Sequence, residues 1–155
     1  MKEAPKQPAP FVFVLSWKLV YNEIMETKEV VEYWIKSAEE DYKSAQGLFT
    51  LDRYSHCLFF CHLTIEKILK GFIVKYTKEP APYEHNILDL VELLPIKFSD
   101  KDLDRLAEIN TFNISGRYDD YKFEFYKKAT KEYTERFVIE TNNIFIWIKQ
   151  ELIKI

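Results

Sequence analysis

From residue 27 onward, apolar side chains recur every three or four positions in long runs, which is the spacing of one face of an α-helix. Few turn-forming residues interrupt these runs, since the 155 residues include only 3 glycines and 6 prolines. The spacing therefore predicts an all-α fold, an antiparallel up-and-down bundle of four main helices plus a short extra helix. The main helices are predicted over residues 27–48, 54–76, 99–114 and 130–154, and the short one over 87–94.

Residues that favour helix ends mark several of these boundaries. Asn86 is predicted to cap the short helix, and Ser99 with Asp102 three residues later resembles a capping box. Gly116 is predicted to end the fourth helix as a C-cap. Residues 117–128 are expected to form an irregular or frayed link.

Residues 26–155 are expected to form one domain with a core of its own, since 47% of the residues are apolar and 30% are charged. Cys57 and Cys61 are interpreted as reduced core residues of a cytoplasmic protein, with no metal and no cofactor. The net charge of −3 gives no general attraction to nucleic acid. The deepest core positions are predicted to be Trp34, Leu58, Cys61, Ile65, Phe72, Leu106, Phe137, Ile144 and Ile148.

Residues 1–25 form a separate N-terminal arm, which is rich in proline at first and then runs "FVFVLSWKLVY". This run falls well short of the ~20 apolar residues that span a bilayer, so no membrane attachment is expected. Met25 allows one hypothesis, that the natural chain starts there and the arm is a mis-called start. The alternative hypothesis is an apolar arm that packs on its own domain or on a partner.

The second predicted helix carries an unusual set of polar residues for a core element. His62, Glu66 and Lys70 are spaced by four and stack along one edge, and Lys67 lies beside them. One interpretation is a solvated face with a Glu66–Lys70 ion pair. The other is that these residues line a site.

A second group of polar residues lies at the end of the fourth predicted helix. Asn110 shares the apolar stripe of that helix, and an amide that faces a core needs a hydrogen-bond partner. Arg117 follows the helix, next to Tyr118 and close to Asp120. Arg117 either pairs locally with acids or, with the Lys67 and Lys70 region and the tip of Tyr118, forms an anion site.

Three stretches, "YSHCLFFCHLTIEKILKGF", "EHNILDLVELL" and "INTFNISGRYDD", occur in this order on the helical frame. Together they resemble the HEPN domain family (higher eukaryotes and prokaryotes nucleotide-binding) over about residues 27–153. The resemblance implies a helical bundle that forms a homodimer. It also implies a small nucleotidyltransferase partner, in a pair of the toxin–antitoxin type.

Active toxins of this family are metal-independent ribonucleases whose site combines an arginine with a histidine a few residues later. Arg117 can stand for the arginine, but no histidine follows it, since His56, His62 and His85 all precede it. His85 or His62 would have to approach in space to serve as the acid or base. Another branch of the family carries Arg–Tyr–Pro–Asp in this region, and Asp120 takes the place of that acid.

Three functions follow from these observations. The first is a nucleotide-binding or regulatory module that works with a nucleotidyltransferase. In it Lys67, Lys70 and Arg117 contact phosphates, and Glu66, His62, His85, Asn110, Tyr118 and Asp120 complete a nucleotide or RNA site. The second is a metal-independent ribonuclease toxin that uses Arg117. The third is a structural interaction module in which the polar groups satisfy one another.

Overall fold

The computed structural model describes residues 27–115 and 124–155, and within them it contains six α-helices and no strand. In chain order the helices are α1 (Thr27–Thr50), α2 (Tyr54–Thr77), α3 (Ile87–Glu92), α4 (Asp100–Ser115), α5 (Glu124–Lys128) and α6 (Lys131–Lys154). The predicted all-α class is confirmed, and the ends of the five predicted helices lie within two residues of their predicted positions.

Two of the predicted caps are also present. The side chain of Asn86 accepts a hydrogen bond from the Leu88 amide at 3.0 Å, and Ser99 Oγ accepts one from the Asp102 amide at 3.2 Å.

The predicted irregular link over 117–128 is wrong at its end, because α5 is helical there. The Phe125 ring packs against Phe112, with 6.0 Å between ring centroids, so tertiary packing stabilises this short helix. Gly116 lies outside the described residues.

Contacts between the long helices give their directions. Asp41 pairs with Lys67, and the early part of α1 faces the later part of α2, so these two helices are antiparallel. Phe112 of α4 packs on Phe137 of α6, whereas Phe98, just before α4, packs on Trp147 further along α6. Helices α4 and α6 are therefore antiparallel as well.

The direction of α6 relative to α1 and α2 completes the bundle. Tyr42 donates to the carbonyl of Val138 near the start of α6, and Lys75 near the end of α2 donates to that of Leu152 near the end of α6. Helix α6 thus runs parallel to α2 and antiparallel to α1. The four long helices alternate up, down, up and down, as the sequence predicts.

Helix α2 lies at the centre of this arrangement. Helices α1, α3, α4 and α6 all pack against it, and every residue from Cys57 to Val74 is buried or partly buried. A helix that is apolar almost all round suits such a position. Polar residues in its middle are consequently buried or partly buried.

The predicted core is confirmed at eight of its nine positions, where each side chain is at most 4% exposed. Trp34 is the exception, because it is only partly buried. Gly71 lets α1 and α2 approach closely, since a Cβ built on it would lie 3.0 Å from Trp34 Cβ. The partly buried indole ring of Trp34 also contacts Lys70, whose Nζ lies 5.7 Å from its centroid.

Candidate functional site

The polar edge of α2 is buried. His62 is 0% exposed, and Glu66 and Lys70 are each 5% exposed. The interpretation of these residues as a solvated face is therefore wrong. The physical reason is the central position of α2, because the neighbouring helices cover this edge.

Glu66 is the centre of a hydrogen-bonded group that we name the Glu66 cluster, formed by Glu66, His62, Lys70 and His85. Its Oε1 atom accepts hydrogen bonds from Lys70 Nζ and His85 Nδ1, both at 2.9 Å. Its Oε2 atom accepts one from His62 Nε2 at 3.1 Å. One carboxylate thus links two successive turns of α2 with the loop that precedes α3.

These contacts keep Glu66 ionised. Burial raises the pKa of its carboxyl group, but hydrogen bonds from His62, Lys70 and His85 outweigh that effect and lower the pKa to about 2. An ionised carboxylate only accepts hydrogen bonds, so each histidine must carry a proton on the nitrogen that faces Glu66. His62 Nδ1 then remains buried without a partner.

His85 is the member of the cluster that reaches the surface, because its side chain is 56% exposed. Since Nδ1 donates to Glu66, Nε2 is left to contact solvent or a ligand. A neutral ring accepts a hydrogen bond there, and a protonated ring donates one. A buried carboxylate that fixes the tautomer and the orientation of a histidine is a common means of preparing that histidine for chemistry or binding.

The loop that carries His85 is held by short-range contacts. The Glu84 carboxylate accepts hydrogen bonds from the amides of His85 and Asn86, at 2.8 and 2.7 Å. Asn110 Oδ1 on α4 accepts one from the Ile87 amide at 2.8 Å, which satisfies the first amide of α3. Asn110 therefore has the partner that its position requires, and it contributes to the site by fixing this loop.

Lys67 lies on α2 next to the cluster and pairs with a different acid. Its Nζ atom is 2.5 Å from Asp41 Oδ2 on α1, and Asp41 is only 9% exposed. The sequence reasoning missed Asp41. The available signal was its position three residues after Ala38 and four before Ala45, small apolar residues whose helical spacing puts Asp41 on the same face of α1.

The structure thus brings His62, Glu66, Lys70 and His85 together, while Lys67 and Asn110 make separate contacts. The predictions for Arg117, Tyr118 and Asp120 concern residues outside the described part of the chain. The last described side chain of α4, Asn113, has a buried Oδ1 atom without a hydrogen-bond partner.

In the comparison with protein families, the model of the HEPN domain matches residues 31–152. The chain belongs to the HEPN family. The match includes all four residues of the Glu66 cluster, so the cluster lies within the HEPN domain. Comparison with functionally curated proteins finds no match.

Solved structures share the HEPN fold of this chain. TT1696 from Thermus thermophilus is 20% identical, with a TM-score of 0.67 over 77% of this chain and 96% of that one. ST0689, described as an archaeal HEPN homologue, is 21% identical, with a TM-score of 0.62 over 79% of this chain and 97% of its own. At these identities the likeness concerns the fold.

Two further features of the described residues concern metal binding and membrane insertion. Among the described residues, no three side chains of histidine, cysteine, aspartate or glutamate are arranged to hold a metal ion. None of the helices that the structure describes is long and apolar enough to cross a bilayer.

Proposed function

We propose that this HEPN domain is a nucleotide- or RNA-binding module and that His85 is its main ligand-contacting residue among those described. The proposal includes a small nucleotidyltransferase partner, a pair of the toxin–antitoxin type and a homodimeric state, as the sequence resemblance implies. The observation that carries the proposal is the hydrogen bond between the exposed His85 and the buried, ionised Glu66.

The energetics of burial support this choice. Placing an ion pair inside a protein costs several kcal/mol per ion in desolvation, and apolar replacements of the same volume are often as stable or more stable. A core helix gains little stability from Glu66 and Lys70 that leucines would not provide. The Glu66 cluster is better explained by a positioning role, in which Glu66 orients His85 and Lys70 neutralises the charge of the carboxylate.

The same contacts change the expected roles of the lysines. Lys67 and Lys70 are each paired with a carboxylate, so a phosphate would have to compete with Asp41 or Glu66 for them. We therefore propose that His85 contacts the ligand directly and that Arg117, just beyond α4, provides the positive charge. Arginine suits this role because its planar fork binds phosphate oxygens in pairs.

A second candidate function is a metal-independent ribonuclease, and the geometry of His85 favours it as well. In that reaction His85 Nε2 takes the proton of a ribose 2′-hydroxyl. The 2′-oxygen bonds to phosphorus, the bond to the 5′-oxygen breaks, and the departing oxygen takes a proton from solvent. The reaction requires His85 Nε2 within ~3 Å of the 2′-hydroxyl, or one water away.

The direct test measures binding of a fluorescent adenine nucleotide and of a short single-stranded RNA to wild-type protein and to His85→Ala. We expect His85→Ala to weaken binding by about tenfold, the effect of losing roughly one charge-assisted hydrogen bond. His56→Ala is the matched control, since His56 is also an exposed histidine of this domain but lies outside the Glu66 cluster. Equal binding by all three proteins would overturn the proposal.

The same RNA separates the two functions. Intact RNA after prolonged incubation, together with binding that depends on His85, supports the binding module. Cleavage that His85→Ala abolishes and chelators leave unchanged supports the ribonuclease. Co-purification with a nucleotidyltransferase encoded by a neighbouring gene would test the proposed partner, and equilibrium sedimentation would test the homodimer.

A further inference from the structure

A groove lies at the end of the bundle where α1 begins and where α2 and α6 end. Its volume is about 320 Å³, which is at the lower end of the range for ligand-binding pockets. Its floor is apolar and includes Val31, Ile35 and Leu152, and Ile153 lines it while remaining 67% exposed. An apolar groove that stays open to water is unfavourable unless something covers it.

The position of the groove indicates which segment could cover it. Thr27 is both the first described residue and part of the groove wall. The preceding 26 residues contain the most apolar uninterrupted run of the chain, "FVFVL" at residues 11–15. The 12 residues from Leu15 to Thr27 can extend over roughly 40 Å, so this run can reach the whole groove.

The charges around the groove agree with the same occupant. Lys28, Lys75 and Lys78 lie along the groove, against a single acid, Glu32. In the sequence, Glu23 and Glu26 lie within the four residues before Thr27, whereas residues 4–22 contain no acid. An arm that leaves Thr27 along the groove would bring its acids near the lysines and its apolar run over the floor.

We propose that residues 11–21 of the same chain pack into this groove and cover it as an intramolecular strap. Attachment to Thr27 gives the strap an effective concentration in the millimolar range, which favours it over a second copy or a separate partner at ordinary protein concentrations. The strap buries the aromatic and aliphatic side chains of the arm, and it covers Ile153.

Limited proteolysis with chymotrypsin tests the strap, because the arm contains several aromatic cleavage sites and cleavage follows the fraction of time for which the arm is detached. Ile153→Lys places a charge in the groove at an exposed position, and Phe13→Glu does so in the arm without altering the described domain. Ile139→Lys is the matched control, since Ile139 is 55% exposed on the same helix but does not line the groove.

We expect the arm of the wild-type protein and of Ile139→Lys to be cleaved at the same slow rate. Cleavage in Ile153→Lys and in Phe13→Glu should be at least about tenfold faster. Equally fast cleavage in all four proteins would overturn the proposal. Protection that disappears on dilution over about a hundredfold range would also overturn it, because the occupant would then be the arm of a second copy.

Discussion

Replacing Glu66 by glutamine removes the charge of the Glu66 cluster and keeps nearly the same side-chain shape. The pKa of Glu66 falls from its ordinary value of 4.5 to about 2 in the folded protein. At about 1.4 kcal/mol for each pH unit, the ionised carboxylate therefore stabilises the fold by about 3 kcal/mol relative to a neutral group. This agrees in size with the roughly 3–5 kcal/mol lost when one partner of a buried ion pair is removed.

The stabilisation by Glu66 depends on pH in a direction that the lowered pKa determines. A lowered pKa in the folded state means that the unfolded chain takes up a proton first as the pH falls. The stabilisation is consequently complete above about pH 5, and more than half of it is lost by about pH 3. It vanishes below about pH 2, where both states are protonated.

The assay is urea unfolding of wild-type protein and Glu66→Gln at several pH values from 7 to 3. The quantity to follow is the difference in unfolding free energy between the two proteins. That difference cancels the contributions of Glu40, Glu84 and Glu108, whose pKa values are also lowered. We expect it to be about 3 kcal/mol at pH 7 and about half of that or less at pH 3.

Glu135→Gln is the control, since Glu135 is exposed on α6 and its replacement should change stability by less than about 0.5 kcal/mol. The reasoning is refuted by a wild-type advantage over Glu66→Gln below about 1 kcal/mol at pH 7. An advantage that stays constant down to pH 3 refutes it as well, because the charge of Glu66 would then not be its source.

Three further predictions concern packing and the loop of His85, each measured by urea unfolding at pH 7. Ile65→Ala should lower the unfolding free energy by about 2–5 kcal/mol, because it leaves a cavity in the core. Leu51→Ala, at a site that is 70% exposed, should change the unfolding free energy little, and similar losses in both variants would contradict the core assignment. Asn110→Ala should lower the unfolding free energy by about 1–3 kcal/mol, because it leaves the first amide of α3 without an acceptor. An unchanged unfolding free energy would mean that water accepts this hydrogen bond in place of Asn110. Gly71→Ala should destabilise the protein, since the new Cβ would lie 3.0 Å from a side-chain carbon of α1. Gly47→Ala should instead stabilise it by about 0.5–1 kcal/mol, since a Cβ there would have no atom of another residue within 4 Å. Changes of the same sign in the unfolding free energy of both variants would refute this explanation.

The helices and their order could be predicted from patterns along the chain. Helix ends depend on local chemistry, so Asn86 and Ser99 could be recognised as caps from their neighbours alone. The spacing of Ile65, Leu106 and Phe137 likewise identified the face that each helix buries. The exception was α5, since Phe125 is held in a short helix by its packing on Phe112, which lies on another element.

The roles of the polar residues emerge only from the way the helices pack together. The spacing of His62, Glu66 and Lys70 placed them on one edge of α2, but it could not tell whether water or protein lies beside that edge. The answer depends on how many other helices surround α2, and on a loop that brings His85 to Glu66 from 19 residues further along the chain. Burial is a property of the whole packed bundle, so a pattern read along one helix could predict that these residues share an edge and could not predict that the edge is buried.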